Sequence, residues 1–139
     1  MIVLDTNVLS ALMRQRPEQA AVEWLDRQPC TSVWTTSITI LEIRFGLQTL
    51  PLGKRRSYLI DAFEKVILEM LGQRIAAFDH AAADEAAAVM ASRRKRGRPG
   101  DLRDTMIAGI VLAHGATLAT RNVQHFSDLS LDIVNPWAL

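Results

Sequence analysis

Apolar residues fall along the chain in short blocks whose period keeps changing. Ile2, Val3 and Leu4 form an uninterrupted run; Asp5, Thr6 and Asn7 follow; then Val8, Leu9 and Leu12 recur at helical spacing. This pattern predicts a buried strand that hands over to an amphipathic helix of about residues 6–14. Pro17 and Glu18 are helix-start residues, with proline at the first turn and an acid near the positive end of the dipole. They predict a second helix to about Arg27, with Val22 and Leu25 turned inward and Pro29 ending it. Residues 31–36, rich in β-branched side chains and holding Trp34, predict a strand. Ser37 or Thr39 opens a helix through Ile40, Leu41, Ile43 and Leu47, which Pro51 and Gly53 break. Residues 54–71 form a long amphipathic helix stopped by Gly72 at the C′ position.

Residues 75–78 predict another short strand. Asp79 caps an alanine-rich helix of about residues 80–96; Gly97, Pro99 and Gly100 form a loop; Asp101 opens a helix to His114, and Gly115 ends it. Residues 117–119 and 133–134 are the last strands. Strands alternating with helices predict an α/β fold with a mainly parallel sheet covered on both faces. There are no repeats and no low-complexity linker, so 139 residues read as a single domain, 1–139.

Composition narrows the picture slightly. Hydrophobic content of 49% supports an ordinary core, and a chain this long buries roughly two-thirds of its unfolded surface without a metal or disulfide. The net charge of +1 excludes little, but five of the six residues from Arg93 to Arg98 are basic. Thirteen of the sixteen basic residues are arginine, the side chain suited to bidentate phosphate contacts. Those charges also suit a solvated helix end facing the dipole's negative pole. A single cysteine, Cys30, is consistent with a reducing cytoplasm. The longest uncharged apolar run, residues 106–113, is far short of a membrane span.

Candidate chemistry lies where elements meet. Asp5 stands at a strand-to-helix junction, the edge of an α/β sheet where ligands bind. Glu42 is one turn into the helix after the second strand, and Asp104 is in the first turn of the helix after the basic loop. Each has a structural reading as well: Asp5 as a helix cap, Thr39 with Glu42 as a capping box, and Asp101 with Asp104 as a capping arrangement. Their coincidence at comparable junctions is harder to explain that way. Three converging carboxylates repel one another without a cation, and hard oxygen ligands suit Mg²⁺ or Mn²⁺. Thr120, Arg121 and Asn122 leave the strand at 117–119 together, as a polar turn or as groups that position phosphate and water. His80, His114 and His125 share no ligand spacing.

Taken in order, Leu4-Asp5-Thr6-Asn7, Leu41-Glu42-Ile43-Arg44-Phe45-Gly46, Gly97-Arg98-Pro99 with Asp104, Ala119-Thr120-Arg121-Asn122, and Asn135-Pro136-Trp137 resemble the PIN domain over the whole chain. The nearest likeness is to the branch of VapC-type toxins related to FitB. The resemblance implies a three-layer α/β/α sandwich and a Mg²⁺- or Mn²⁺-dependent endoribonuclease that hydrolyses phosphodiesters with metal-activated water. It further implies a homodimer restrained by a small DNA-binding antitoxin, and contact with operator DNA through that complex. By motif, Asp5, Glu42 and Asp104 would hold the metal, with Thr120 and Asn122 orienting the cluster or the water. Thr6, Asn7, Arg121 and Arg98 would face the RNA. Asn122 departs from the pattern, because many relatives carry a fourth acid there. The apolar helices around Leu9, Leu12, Ile43 and Leu47 would offer the antitoxin an exposed surface.

Two other classes fit less well. A phospho-receiver wants an acidic pair after its first strand and a lysine after its last, whereas here Thr6 follows Asp5 and Asn135 follows Val134. A PIN module weakened in catalysis, acting through its antitoxin–DNA complex, has Asn122 in its favour.

Overall fold

The computed structural model describes all 139 residues. Five strands, β1 (Ile2–Leu4), β2 (Val33–Thr36), β3 (Ile75–Ala76), β4 (Thr117–Ala119) and β5 (Asp132–Val134), form one parallel sheet in the order β3-β2-β1-β4-β5. The chain builds outward from β1 to β2 and β3, then returns to lay β4 on the other side of β1. In register, Ile2, Val3 and Leu4 face Thr117, Leu118 and Ala119. The order therefore reverses between β1 and β4, and the crevice beyond their carboxyl ends is the place such a sheet offers a ligand.

Strand alternation separates two cores. Val3 and Leu118 point into one with α5 (His80–Lys95) and α6 (Leu102–His114). Leu4 and Ala119 point into the other with α1 (Thr6–Met13), α2 (Gln19–Asp26), α3 (Ser37–Thr49) and α4 (Lys54–Lys65). The α/β/α layering is thus observed. The alanine-rich face of α5 has a purpose: a Cβ on Gly109 of α6 would lie 2.5 Å from the Ala82 carbonyl oxygen and 2.8 Å from the Ala86 Cβ. The two helices approach closely because both contact faces are small.

Several expectations need correction. In α2 it is Ala21 and Trp24 that are buried; Val22 and Leu25 are only half-buried. A 3₁₀ turn, Cys30–Ser32, precedes β2. Neither Ser37 nor Thr39 caps α3: Thr36 does, its Oγ1 accepting from the Thr39 N–H at 3.0 Å. The capping box with Glu42 therefore does not form, and that carboxylate is free for other use. The helix from residue 54 changes to a π-helical segment, Val66–Met70, before Gly72 (φ 53°). β3 stops at Ala76, and Val123–Phe126 is an unanticipated 3₁₀ turn. Leu9, Ile43 and Leu47 are core residues and Leu12 is half-buried. The outward apolar residues of α3 are instead Leu41 and Phe45, 56% and 64% exposed.

Candidate metal centre

Asp5 follows β1 immediately and is buried, 3% exposed. It caps α1 and also faces the neighbouring strand end: Oδ1 accepts from the Thr6 N–H at 2.8 Å, while Oδ2 accepts from Thr120 Oγ1 at 2.7 Å and Asn7 Nδ2 at 3.2 Å. Thr120 follows β4, so the hydrogen bond from Thr120 to Asp5 spans the point where the strand order reverses. Thr6 reaches the other way, its Oγ1 donating to Glu42 Oε1 at 2.9 Å. Glu42 Oε2 lies 3.7 Å from Arg103 Nη1. Asp104, in the first turn of α6, accepts no bond from this set; its Oδ2 is 2.9 Å from His125 Nδ1.

Burial, above all, pushes the Asp5 carboxyl up from its ordinary range, and the charge of Asp104 adds to this. The bonds from Thr120, Thr6 and Asn7 work against it. Glu42 is also raised, chiefly by desolvation and then by Asp5 and Asp104, against the pull of Thr6 and Arg103. Asp5 and Glu42 thus share an environment in which negative charge is unfavourable, and the charge of Asp104 contributes to it. The three carboxylates do not form a closed cage, for no three His, Cys, Asp or Glu side chains come together as a ready ligand set. The donor chemistry fits a hard cation that retains water and takes further oxygens from substrate.

Around this centre the remaining residues sort themselves by contact. Asn7 Oδ1 accepts from the Arg121 N–H at 3.0 Å, pinning the β4 turn to α1. The Asn122 N–H donates to Thr120 Oγ1, whereas its side chain is exposed and makes no bond. The Arg121 guanidinium lies 4.7 Å over the Trp137 ring and 3.6 Å from Glu18, so it is engaged on that side. Arg98 is exposed in the loop before α6.

Two residues escaped the sequence reading. Arg93 is buried, 5% exposed, and is not part of a solvated helix end. Its Nε and Nη2 hold Asp128 at 2.9 and 3.0 Å; Nη2 also donates to the His125 carbonyl at 2.9 Å and Nη1 to Thr105 Oγ1 at 3.0 Å. A clue existed: residue 93 continues the buried stripe of Ala82, Ala86 and Val89. His125, held against Asp104, left no comparable trace.

A parallel sheet with this reversal, edged by Asp5, Glu42, Asp104 and a buried threonine, defines a small α/β domain with acidic side chains along its switch-point edge. The PIN domain model matches residues 2–130, and the chain belongs to that family. Within it, the chain is 39% identical over 137 residues to a VapC ribonuclease of Sinorhizobium fredii, spanning 99% of this chain and 98% of that protein. It is 34% identical to the FitB toxin of Neisseria gonorrhoeae, over 99% of each chain. A solved structure of FitAB bound to a DNA fragment superposes with a TM-score of 0.89 at 34% identity, covering 100% of this chain and 97% of that one. The likeness to the VapC and FitB branch holds over the full chain, and the receiver alternative falls away.

Proposed function

We propose that the protein is the toxin of a type II toxin–antitoxin pair and acts as a Mg²⁺- or Mn²⁺-dependent endoribonuclease. The observation that carries this reading is the set of Asp5, Glu42 and Asp104 at the switch point, with burial and mutual repulsion raising Asp5 and Glu42. The relatives named as a VapC ribonuclease and a toxin support RNA cleavage and toxicity. Asp5, Glu42 and Asp104 would hold the cation, which when bound lowers the pKa of water and shields the scissile diester. Thr120 fixes the orientation of Asp5, and Thr6 that of Glu42. Asn122 brings no charge to the centre, and its amide can still hold a water.

The likeness to FitAB bound to a DNA fragment supports an antitoxin partner and operator contact through it. Leu41 and Phe45 on α3 suit an apolar segment of that antitoxin. A homodimer accompanies this reading, to be checked by light scattering.

The test is cleavage of cellular RNA by the purified protein in Mg²⁺, Mn²⁺ or EDTA. Asp5→Asn, Glu42→Gln and Asp104→Asn should each lower cleavage about a hundredfold or more, as loss of a charge-stabilising group does, with far-ultraviolet circular dichroism unchanged. Full activity in all three folded variants removes the mechanism. Absence of cleavage by the wild type in either metal, with operator DNA still bound in the antitoxin complex, favours the catalytically weakened module.

A further inference from the structure

The carboxylate centre falls into two halves. In one, Asp5, Thr6, Glu42 and Thr120 are hydrogen-bonded to one another along the sheet edge. Asp104 belongs to the other. Its side chain makes no hydrogen bond to that set; its one partner is His125, with Oδ2 2.9 Å from Nδ1. The only ion pair between the halves is that of Arg103 with Glu42 at 3.7 Å, on a half-exposed side chain, and such pairs hold little. Something else must fix where the Asp104 carboxylate stands.

The buried Arg93 guanidinium reaches both supports of Asp104. Nη1 donates to Thr105 Oγ1 at 3.0 Å, on the residue next to Asp104 in α6. Nη2 donates to the carbonyl of His125 at 2.9 Å, the residue whose ring meets the Asp104 carboxylate. Asp128 takes Nε and a second Nη2 bond at 2.9 and 3.0 Å; the hydrogen bond from Arg93 holds its pKa down, so it stays ionised and balances the buried charge. Thr105 Oγ1 in turn donates to the Asp101 carbonyl at 2.9 Å, and a Cβ on Gly100 would collide with Arg93 Nη1, so the loop entering α6 is seated on the same group. A buried guanidinium matched in this way resists displacement, since any shift leaves charge unpaired away from water.

We infer that Arg93 is a positioning residue for the cation. By tying the first turn of α6 and the 3₁₀ turn at residues 123–126 to one guanidinium, it keeps the Asp104 carboxylate in place beside Asp5 and Glu42, so that a divalent ion finds its third ligand already set. The planar fork is essential. Lysine carries the same charge on a single nitrogen and cannot span three separate stretches of chain. This inference rests on the reading of Asp5, Glu42 and Asp104 as cation ligands.

The test measures Mn²⁺ binding to the whole protein without RNA, from the electron paramagnetic resonance signal of the unbound ion, at a temperature where circular dichroism shows each variant folded. Arg93→Lys should bind about tenfold more weakly, the loss typical when a group behind a metal ligand is removed. Asp128→Asn leaves Arg93 its other acceptors and should lose less, in the same direction. Phe63→Leu, in the opposite core, controls for lost stability: it should melt lower and bind Mn²⁺ as the wild type does. Unchanged affinity in Arg93→Lys overturns the inference; if that variant does not fold, unchanged affinity in Asp128→Asn overturns it. An equal loss in Phe63→Leu also overturns it, since the effect is then one of general stability. Asp104→Asn separates the two levels. If it binds Mn²⁺ like the wild type, or the wild type binds none, the cation reading fails and this role with it. If it loses affinity while Arg93→Lys keeps it, the cation reading stands and the positioning role alone falls.

Discussion

Thr6 is the smallest part of the site and ties the most together. Its N–H holds Asp5 and its hydroxyl holds Glu42, so two carboxylates that repel are fixed through one residue. The charge on Glu42 costs stability. Its folded pKa is raised, so the folded state binds the proton more tightly than the unfolded chain; the benefit is full below the unfolded value of 4.5 and is lost as pH rises through the folded value. Glu42→Gln keeps an oxygen to accept from Thr6 and removes the charge. In EDTA its melting temperature should match the wild type near pH 4 and exceed it at pH 7.5. A lower value at pH 7.5 would mean that the Arg103 contact outweighs burial. Asp128 has the opposite sign: Arg93 holds it below 3.8, so its contribution is present at neutral pH and disappears on acidification through the folded value.

Among the elements, the pairing of α5 and α6 places Asp104. Gly109→Ala should strain it, since the added methyl meets the Ala82 carbonyl. Overpacking costs about 1–3 kcal/mol, partly offset by the better helix propensity of alanine. We expect melting to fall by about 3–8 °C in a thermal denaturation followed by circular dichroism; an unchanged midpoint would mean that the helices separate freely. The same elements show what the sequence could and could not reveal. Caps and apolar runs located β1, β4, α1 and α6, and with them Asp5, Thr120 and Asp104, because these residues occupy the junctions themselves. The true cap of α3 was hidden among four neighbouring hydroxyl residues, Thr35, Thr36, Ser37 and Thr39, any of which can accept an N–H. Arg93 and His125 depend on a 3₁₀ turn at Val123–Phe126 folding back onto α5, a tertiary contact with no local periodicity. The motif that carries Arg121 gives no sign of its contacts with Trp137 and Glu18, which come from distant parts of the chain.

For the whole molecule, the proposed metal binding would be linked to stability. A divalent ion that binds the folded cluster and finds no equal site in the unfolded chain stabilises by RT ln(1 + [L]/Kd), about 2.7 kcal/mol at a hundredfold excess. Melting should rise by about 5–10 °C in Mg²⁺. Asp104→Asn should shrink that rise, and an equal rise in both proteins would make Asp104 a purely structural residue of the first turn.

The bond from Thr120 to Asp5 joins positions 115 residues apart. Glu42 and Asp104 are contributed between them, and β4 must insert beside β1 before the set can close. Such long-range parallel pairing is slow, since loop closure precedes any reward from contact. During synthesis, β1 to β3 and most helices emerge before residue 117 exists to pair with Ile2. A partly made chain, or one cut short ahead of β4, holds Asp5 without its threonine and has no finished crevice. On the proposed reading, a host that translates its own poison is spared by the order of the ribosome's work: cutting power arrives only with the last strands, leaving the antitoxin time to meet the chain as it matures.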